Sequence, residues 1–142
     1  MLKKLFVQNI LFLENLELEF TEGLNVLTGE TGAGKSILLD CLGYLLGKKN
    51  TRVELGNKTD FAIIIGEFQI QGSDVIEQFL SEKGFPRDDN LILRQNIGPN
   101  KKRRAFVNDL PCSLDTVREL GDLIVDLNGQ FEEQGLLNTK TH

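Results

Sequence analysis

The chain of 142 residues has no tryptophan, one histidine (His142), three prolines and two cysteines. Each scarcity excludes something. A single histidine leaves no pair for a metal site. Cys41 and Cys112 have neither metal-ligand spacing nor histidine partners, so a zinc centre and a disulfide framework are both excluded, and a reduced, cytoplasmic setting is the default expectation. Cys41 falls in an apolar segment and reads as a small buried residue. No apolar run approaches the roughly 20 residues that cross a bilayer, so no membrane association is expected. The opening Met1-Leu2-Lys3-Lys4-Leu5-Phe6-Val7 starts positive, but Gln8 and Asn9 end it before an export signal's apolar region is complete. It reads as a strand instead. Repeats, low-complexity tracts and interdomain linkers are also missing, and 40% hydrophobic with 26% charged residues suits one ordinary globular domain.

Glycine, by contrast, is plentiful, and it is concentrated where it carries chemistry. Gly29-Glu30-Thr31-Gly32-Ala33-Gly34-Lys35-Ser36 fits the P-loop pattern of Gly, four residues, then Gly-Lys-Ser/Thr. The β-rich run Leu24–Thr28 precedes it and the helical run Ile37–Leu46 follows, which is the order the mechanism requires. Gly29, Gly32 and Gly34 let successive N–H groups turn inward around a phosphate, and the helix N-terminus adds its partial positive charge. Lys35 would reach the outer phosphates and the Ser36 hydroxyl would hold Mg²⁺. The octet therefore predicts a nucleoside triphosphate site.

Elsewhere the pattern predicts strands over Leu2–Ile10, Leu16–Phe20 and Phe61–Ile70, with a turn at Glu22-Gly23. The first helix stops at Gly47, and residues 48–60 are polar and irregular. Ser73 or Asp74 caps a helix reaching about Lys83, ended by Gly84 and Pro86. Leu91–Ile97 and Arg104–Asn108 form a hairpin around Gly98-Pro99-Asn100-Lys101, and Asn108–Pro111 is a turn. Ser113 caps a helix of roughly Leu114–Leu123, with Leu114, Val117, Leu120 and Leu123 on one face. A last short strand, Ile124–Leu127, leads through Asn128-Gly129-Gln130 into Phe131–Leu137.

Two charged features remain. Net charge is −5, which opposes wholesale attraction to nucleic acid. Yet Lys101-Lys102-Arg103-Arg104 is a concentrated basic run, readable either as a solvated hairpin turn or as a phosphate-contacting patch on DNA. Asn57-Lys58-Thr59-Asp60 looks like the guanine-reading motif of GTPases. It follows no apolar strand, and the companion Asp40-Cys41-Leu42-Gly43 falls inside the first helix, so a GTPase is set aside.

Two longer stretches carry a family resemblance. Leu2 to Phe20, followed by Gly23 through Asp40, is similar to the opening of the SMC-like ATPases. The wording Gly-Glu-Thr-Gly-Ala-Gly-Lys-Ser-Ile-Leu-Leu-Asp is closest to the RecN family of bacterial DNA double-strand-break repair proteins. Arg103-Arg104-Ala105-Phe106-Val107-Asn108 and Leu120 through Leu137 resemble the segment of that family that ends in its Q-loop. The resemblance implies an α/β P-loop NTPase fold of the ABC/SMC head type, residues 1–142 forming the N-terminal lobe alone. It implies a mixed sheet around the P-loop helix with antiparallel strands. ATP would lie on Gly29, Glu30, Thr31, Gly32, Ala33, Gly34, Lys35, Ser36 and Ile37, with Mg²⁺ held by Ser36 and Gln130. Arg52 is the candidate for a nucleotide-contacting, ATP-binding arginine, which the family tends to place shortly after the first helix; the plain alternative is an exposed loop arginine. Implied partners are the C-terminal head lobe, a second head in a homodimer, and DNA, for which Lys101, Lys102, Arg103 and Arg104 are candidate contacts, in a nucleoid-associated setting. One departure is Asn128-Gly129-Gln130-Phe131 where the family commonly has His-Gly-Gln-His.

Hydrolysis needs parts that the sequence does not offer. Glu67 falls inside the Phe61–Ile70 strand instead of ending a Walker B strand, and no Leu-Ser-Gly-Gly signature or sustained heptad pattern occurs. In the resemblance those parts belong to a coiled coil and a C-terminal lobe. The expectation is a lobe that binds ATP, contains no catalytic carboxylate of its own, and hydrolyses ATP only with its other half and a second head. A stand-alone nucleotide-binding or interaction module without turnover is the alternative, and apolar surface left uncovered would favour self-association.

Overall fold

Alternation of more and less buried side chains builds the strands, strictly so over residues 62–68 and 90–97. The computed structural model describes residues 2–20, 32–49, 51–57, 59–70, 72–86 and 88–127. Six strands, β1 (Leu2–Ile10), β2 (Leu13–Glu19), β3 (Ala62–Gln69), β4 (Asn90–Ile97), β5 (Arg103–Val107) and β6 (Leu110–Cys112), form one sheet in the order β2-β1-β3-β4-β5-β6. All pairings among the described residues are antiparallel. In β3, Ala62, Ile64, Gly66 and Phe68 are buried while Ile63, Ile65 and Glu67 are not, the period-2 signature of a sheet with one covered face.

Among the described residues the covering layer is three helices: α1 (Gly32–Leu45), α2 (Asp74–Lys83) and α3 (Leu114–Leu127). α1 packs on β3 and β4, α3 on β5, and α2 against α3. Leu5, Val7, Leu38, Leu42, Leu45, Ile64, Phe68, Leu93, Val107, Leu120 and Ile124 belong to one apolar cluster between the layers. Each such side chain contributes roughly 1.5–3 kcal/mol. Gly121 is what lets α3 approach α1 so closely, since a Cβ there would overlap the Leu46 carbonyl oxygen. On the opposite face, no described element covers the row Phe6–Ile65–Arg94–Phe106, where the Arg94 guanidinium lies 4.2 Å over the Phe106 ring.

Local chemistry terminates the helices where the sequence indicates. Ser73 accepts from the Ile76 N–H and caps α2, and Gly84 ends it at φ 81°. Gly47, at φ 78°, ends α1 in a Schellman turn: the Lys48 N–H donates to the Gly43 carbonyl and the Gly47 N–H to that of Tyr44. Two readings are corrected. The strand expected over Ile124–Leu127 is the last turn of α3: Ile124 and Val125 extend the buried stripe of Val117, Leu120 and Gly121, and helical packing outweighs their β-branched preference. The turn expected over Asn108–Pro111 is only Asn108-Asp109, both at positive φ (47° and 69°), a two-residue hairpin loop. Leu110 and Pro111 belong to β6, and proline is tolerated there because β6 is an edge strand.

Candidate functional site

The phosphate-binding pattern meets the structure at the first turn of α1. Gly32, Ala33, Gly34 and Lys35 open the helix, and Ser36, still within that end, is exposed with Ile37 half-buried behind it. No acidic residue occupies this first turn, so no carboxylate within the turn itself opposes the helix's positive end. Asp40, one turn further on, has its carboxyl pushed above the usual range by burial. The turn Glu22-Gly23, the strand expected over Leu24–Thr28, the residues Gly29, Glu30 and Thr31, the Gln130 ligand and the Phe131–Leu137 segment lie outside the described residues, as do the side chains of 32–35. What leads toward Gln130 is helix α3, not the short strand expected there.

The far end of α1 is held by side chains from three other elements. α1 has no basic residue in its last turn; the cations that complement its negative end come from elsewhere. Gln95 on β4, only 1% exposed, donates through Nε2 to the carbonyls of Tyr44 (2.9 Å) and Leu45 (3.3 Å). Arg103 on β5 donates through Nε to Gln95 Oε1 (2.9 Å) and through Nη2 to the Tyr44 carbonyl (3.1 Å), with its guanidinium 3.7 Å over the Tyr44 ring. Arg118 on α3 donates to the Gly47 carbonyl (3.2 Å). Burial lowers the Arg103 pKa, Tyr44 opposing the shift and Arg118 adding to it, and burial raises the Tyr44 phenol. Nothing in the sequence marked Gln95: it sits in the register row Val7–Ile64–Gln95–Ala105, surrounded by apolar partners.

Beside Tyr44 opens a cavity of about 650 Å³ between the loop after α1 and the β4–β5 turn. Lys49, Arg52 and Lys101 line it, with Tyr44, Glu54 and Asn100. The structure thus brings Arg52 together with Lys101, at the end of α1 opposite the P-loop. Tyr44 lies twelve helical steps after Gly32, about 18 Å at 1.5 Å per residue. The basic run is divided by the hairpin: Lys101, Lys102 and Arg104 are exposed, whereas Arg103 turns inward to the helix end. Asn100 and Lys101 form the tight tip at φ near 60°. Thr59, in the GTPase-like tetrapeptide, has a structural contact instead: the buried Asn9 side chain donates to the Thr59 carbonyl and hydroxyl and to the Phe61 carbonyl. Together with the Ile10–Leu55 bridge, this pins the loop bearing Arg52 to β1. Glu67 lies within β3 on the uncovered face, opposite Lys4 and Ile92, as its mid-strand position predicts.

The profile of the family described as an AAA domain matches residues 4–134. The DNA repair protein RecN of Haemophilus influenzae is 34% identical over 140 residues, covering 96% of this chain and 25% of the relative. That of Halalkalibacterium halodurans is 37% identical over 145 residues, covering all of this chain and again 25% of the relative. The chain therefore spans about a quarter of the length of these relatives. Among solved structures, one from work on ATP-driven dimerization and DNA-stimulated activation of SMC ATPases superposes with a TM-score of 0.61 at 18% identity, covering 96% of each chain. The two-layer arrangement of antiparallel sheet and helices is thus a fold shared with that SMC ATPase structure. The chain is similar over its whole length to one quarter of these RecN proteins, and it belongs to the AAA domain family.

Proposed function

We propose that this chain is the ATP-binding N-terminal head lobe of a RecN-like DNA repair protein. The observation that carries the reading is the placement of Gly32-Ala33-Gly34-Lys35-Ser36 at the positive end of α1, with no acidic residue in its first turn. Backbone N–H groups from Gly29 to Ile37 and the Lys35 ammonium would bind the triphosphate, and Ser36 would hold Mg²⁺. One exposed hydroxyl beside a triphosphate suits this ion, which keeps most of its waters and takes few protein ligands. Among the described residues no cluster of three or more His, Cys, Asp or Glu offers a different metal centre. Gln130 would supply the second protein ligand. Bound Mg²⁺ would neutralise charge on the outer phosphates.

Turnover would need a carboxylate that this lobe does not supply, from a C-terminal lobe, with a second head closing over the nucleotide in a homodimer. ATP binding and hydrolysis would then drive head engagement on DNA during double-strand-break repair and recombination. The cations around the cavity at the far end of α1, Lys49, Arg52 and Lys101, with Lys102 and Arg104 on the adjoining hairpin, would contact the DNA backbone. Arg52, expected from the sequence at the nucleotide, is read here as a DNA-backbone contact because it shares that cavity with Lys101. This setting is nucleoid-associated; among the described residues no helix is long and apolar enough to cross a membrane.

The test is direct. The 142-residue chain should bind Mg²⁺-ATP weakly, Lys35→Ala should abolish the binding, and turnover should be negligible. Sustained hydrolysis by the purified chain would refute the split-head account.

A further inference from the structure

The sheet face turned away from the helices, which no described element covers, carries two register rows side by side. One is Phe6–Ile65–Arg94–Phe106 and the next is Gln8–Ile63–Asn96. Phe61, just before β3 and 61% exposed, extends the column of Ile63 and Ile65 at one end. At the other end a cavity of about 430 Å³ opens among Lys4, Phe6, Glu17, Ile65, Glu67 and Ile92. The face thus holds an aromatic projection and, beyond the two rows, a hollow with apolar walls. β4 adds a donor and an acceptor: Arg94 Nε and Asn96 Oδ1 are both shut off from water and have no hydrogen-bond partner. The ion pair of Arg94 with exposed Asp109, at 4.0 Å, is weak. Buried polar groups left unmatched are rare and call for a partner.

A second copy of this chain matches these features by symmetry alone. Consider a two-fold axis lying in the face, running across the strands and passing between the two rows. It lays each row on the other row of the second copy, an isologous contact. Ile65 then meets Ile63, and the Arg94 guanidinium meets the Asn96 carboxamide. Phe61 lies two residues beyond Ile63, as Glu67 lies two beyond Ile65, so the axis brings Phe61 to the cavity beside Glu67. Each contact occurs twice, and β3 and β4 oppose no like charges. Strands about 4.8 Å apart and a rise of about 3.4 Å per residue give the patch roughly 24 Å by 20 Å. Two such patches bury about 1,000 Å² in all, the lower end for a specific contact.

We propose that this face is a dimerisation surface for a second copy of the chain, seated through Phe61 and the pairing of Arg94 with Asn96. α1 packs on the opposite side of the sheet. The contact is therefore independent of nucleotide and separate from any closure of two heads over ATP.

Sedimentation equilibrium of the 142-residue chain, without nucleotide, tests this. Over about 1–500 µM the weight-average mass climbs from one chain toward two, as a contact of about 1,000 Å² allows. Phe61→Ser, at an exposed position, raises the dimer Kd about tenfold or more. Asn96→Arg sets two guanidiniums against each other and does the same, as does Arg94→Glu by removing the donor. Mixing these last two variants restores dimers, because the introduced carboxylate faces the introduced guanidinium while the second contact stays native. Glu119→Arg, on the exposed side of α3, leaves the Kd unchanged. In wild type the methyl NMR signals of Ile63 and Ile65 move with concentration, and those of Ile124 do not. A wild-type chain that stays monomeric overturns the proposal, the result expected if another segment of a longer chain covers this face. So does a dimer insensitive to Phe61→Ser, or a mixture no tighter than its components. Circular dichroism monitors folding, and if the charged variants do not fold, Phe61→Ser and the methyl signals decide.

Discussion

Gln95→Leu is the sharpest test of how the P-loop helix is fixed to the sheet. Leucine matches glutamine closely in size, so the substitution removes polar contacts with little change in packing. The wild-type amide donates to two α1 carbonyls and accepts from Arg103. After the change, Tyr44 still receives Arg103 Nη2 and the Gly47 N–H. The Leu45 carbonyl loses its side-chain donor, and Arg103 Nε loses its acceptor. A buried group left unsatisfied costs about 1–3 kcal/mol, and a charged one costs more. Arg103 is only half-buried, so water recovers part of its share, and leucine in an apolar row returns some transfer energy. The net loss is then about 2–4 kcal/mol, a large part of the roughly 5–15 kcal/mol that holds a domain folded. Urea unfolding followed by circular dichroism should show the unfolding free energy falling by that amount, through a lower midpoint at unchanged slope. The double variant Gln95→Leu with Arg103→Met should lose less than the sum of the singles, because removing both partners leaves fewer groups stranded. A single-variant loss below about 1 kcal/mol, with additive singles, would refute the claim that this cluster holds α1.

Two further outcomes follow from the packing and the thiols. Gly121→Ala should destabilise the fold by about 1–3 kcal/mol in thermal unfolding, although alanine is the better helix former by about 1 kcal/mol, because its Cβ would overlap the Leu46 carbonyl oxygen; a stabilised variant would show that the two helices are not in that contact. Cys41 is fully buried and its thiol is pushed from its ordinary value of 9.0 up to about 12, by burial first and the Asp40 charge second. In native protein at mildly alkaline pH a thiol reagent should therefore label Cys112 before Cys41. Between pH 9 and about 12 the folded chain keeps a Cys41 proton that the unfolded chain loses, so this group's stabilising contribution is whole below pH 9 and is lost as pH rises through that window. Serine at position 41 should flatten that part of the stability profile, and an unchanged slope would count against the assignment.

Much of this protein can be read without coordinates, because local chemistry dictates it. The period-2 alternation of β3, the Ser73 cap and Gly84 stop of α2, the αL glycine ending α1 and the turn at Asn100 are consequences of backbone sterics and short-range hydrogen bonding, and each appears where the residues place it. The P-loop octet is similarly self-declaring, since its glycines, lysine and serine are contiguous. Ile124-Val125 misled because β-branched residues favour strands in isolation, whereas here a long-range contact between α3 and α1 decides. Gln95 was invisible because a polar residue in an alternating strand looks like any other until the helix end it serves is packed above it. The basic run shows the division most clearly. Its charge is written in the sequence, but only the pleat of β5, which sends neighbouring side chains to opposite faces, decides that Arg104 meets solvent while Arg103 turns under the sheet to grip the P-loop helix.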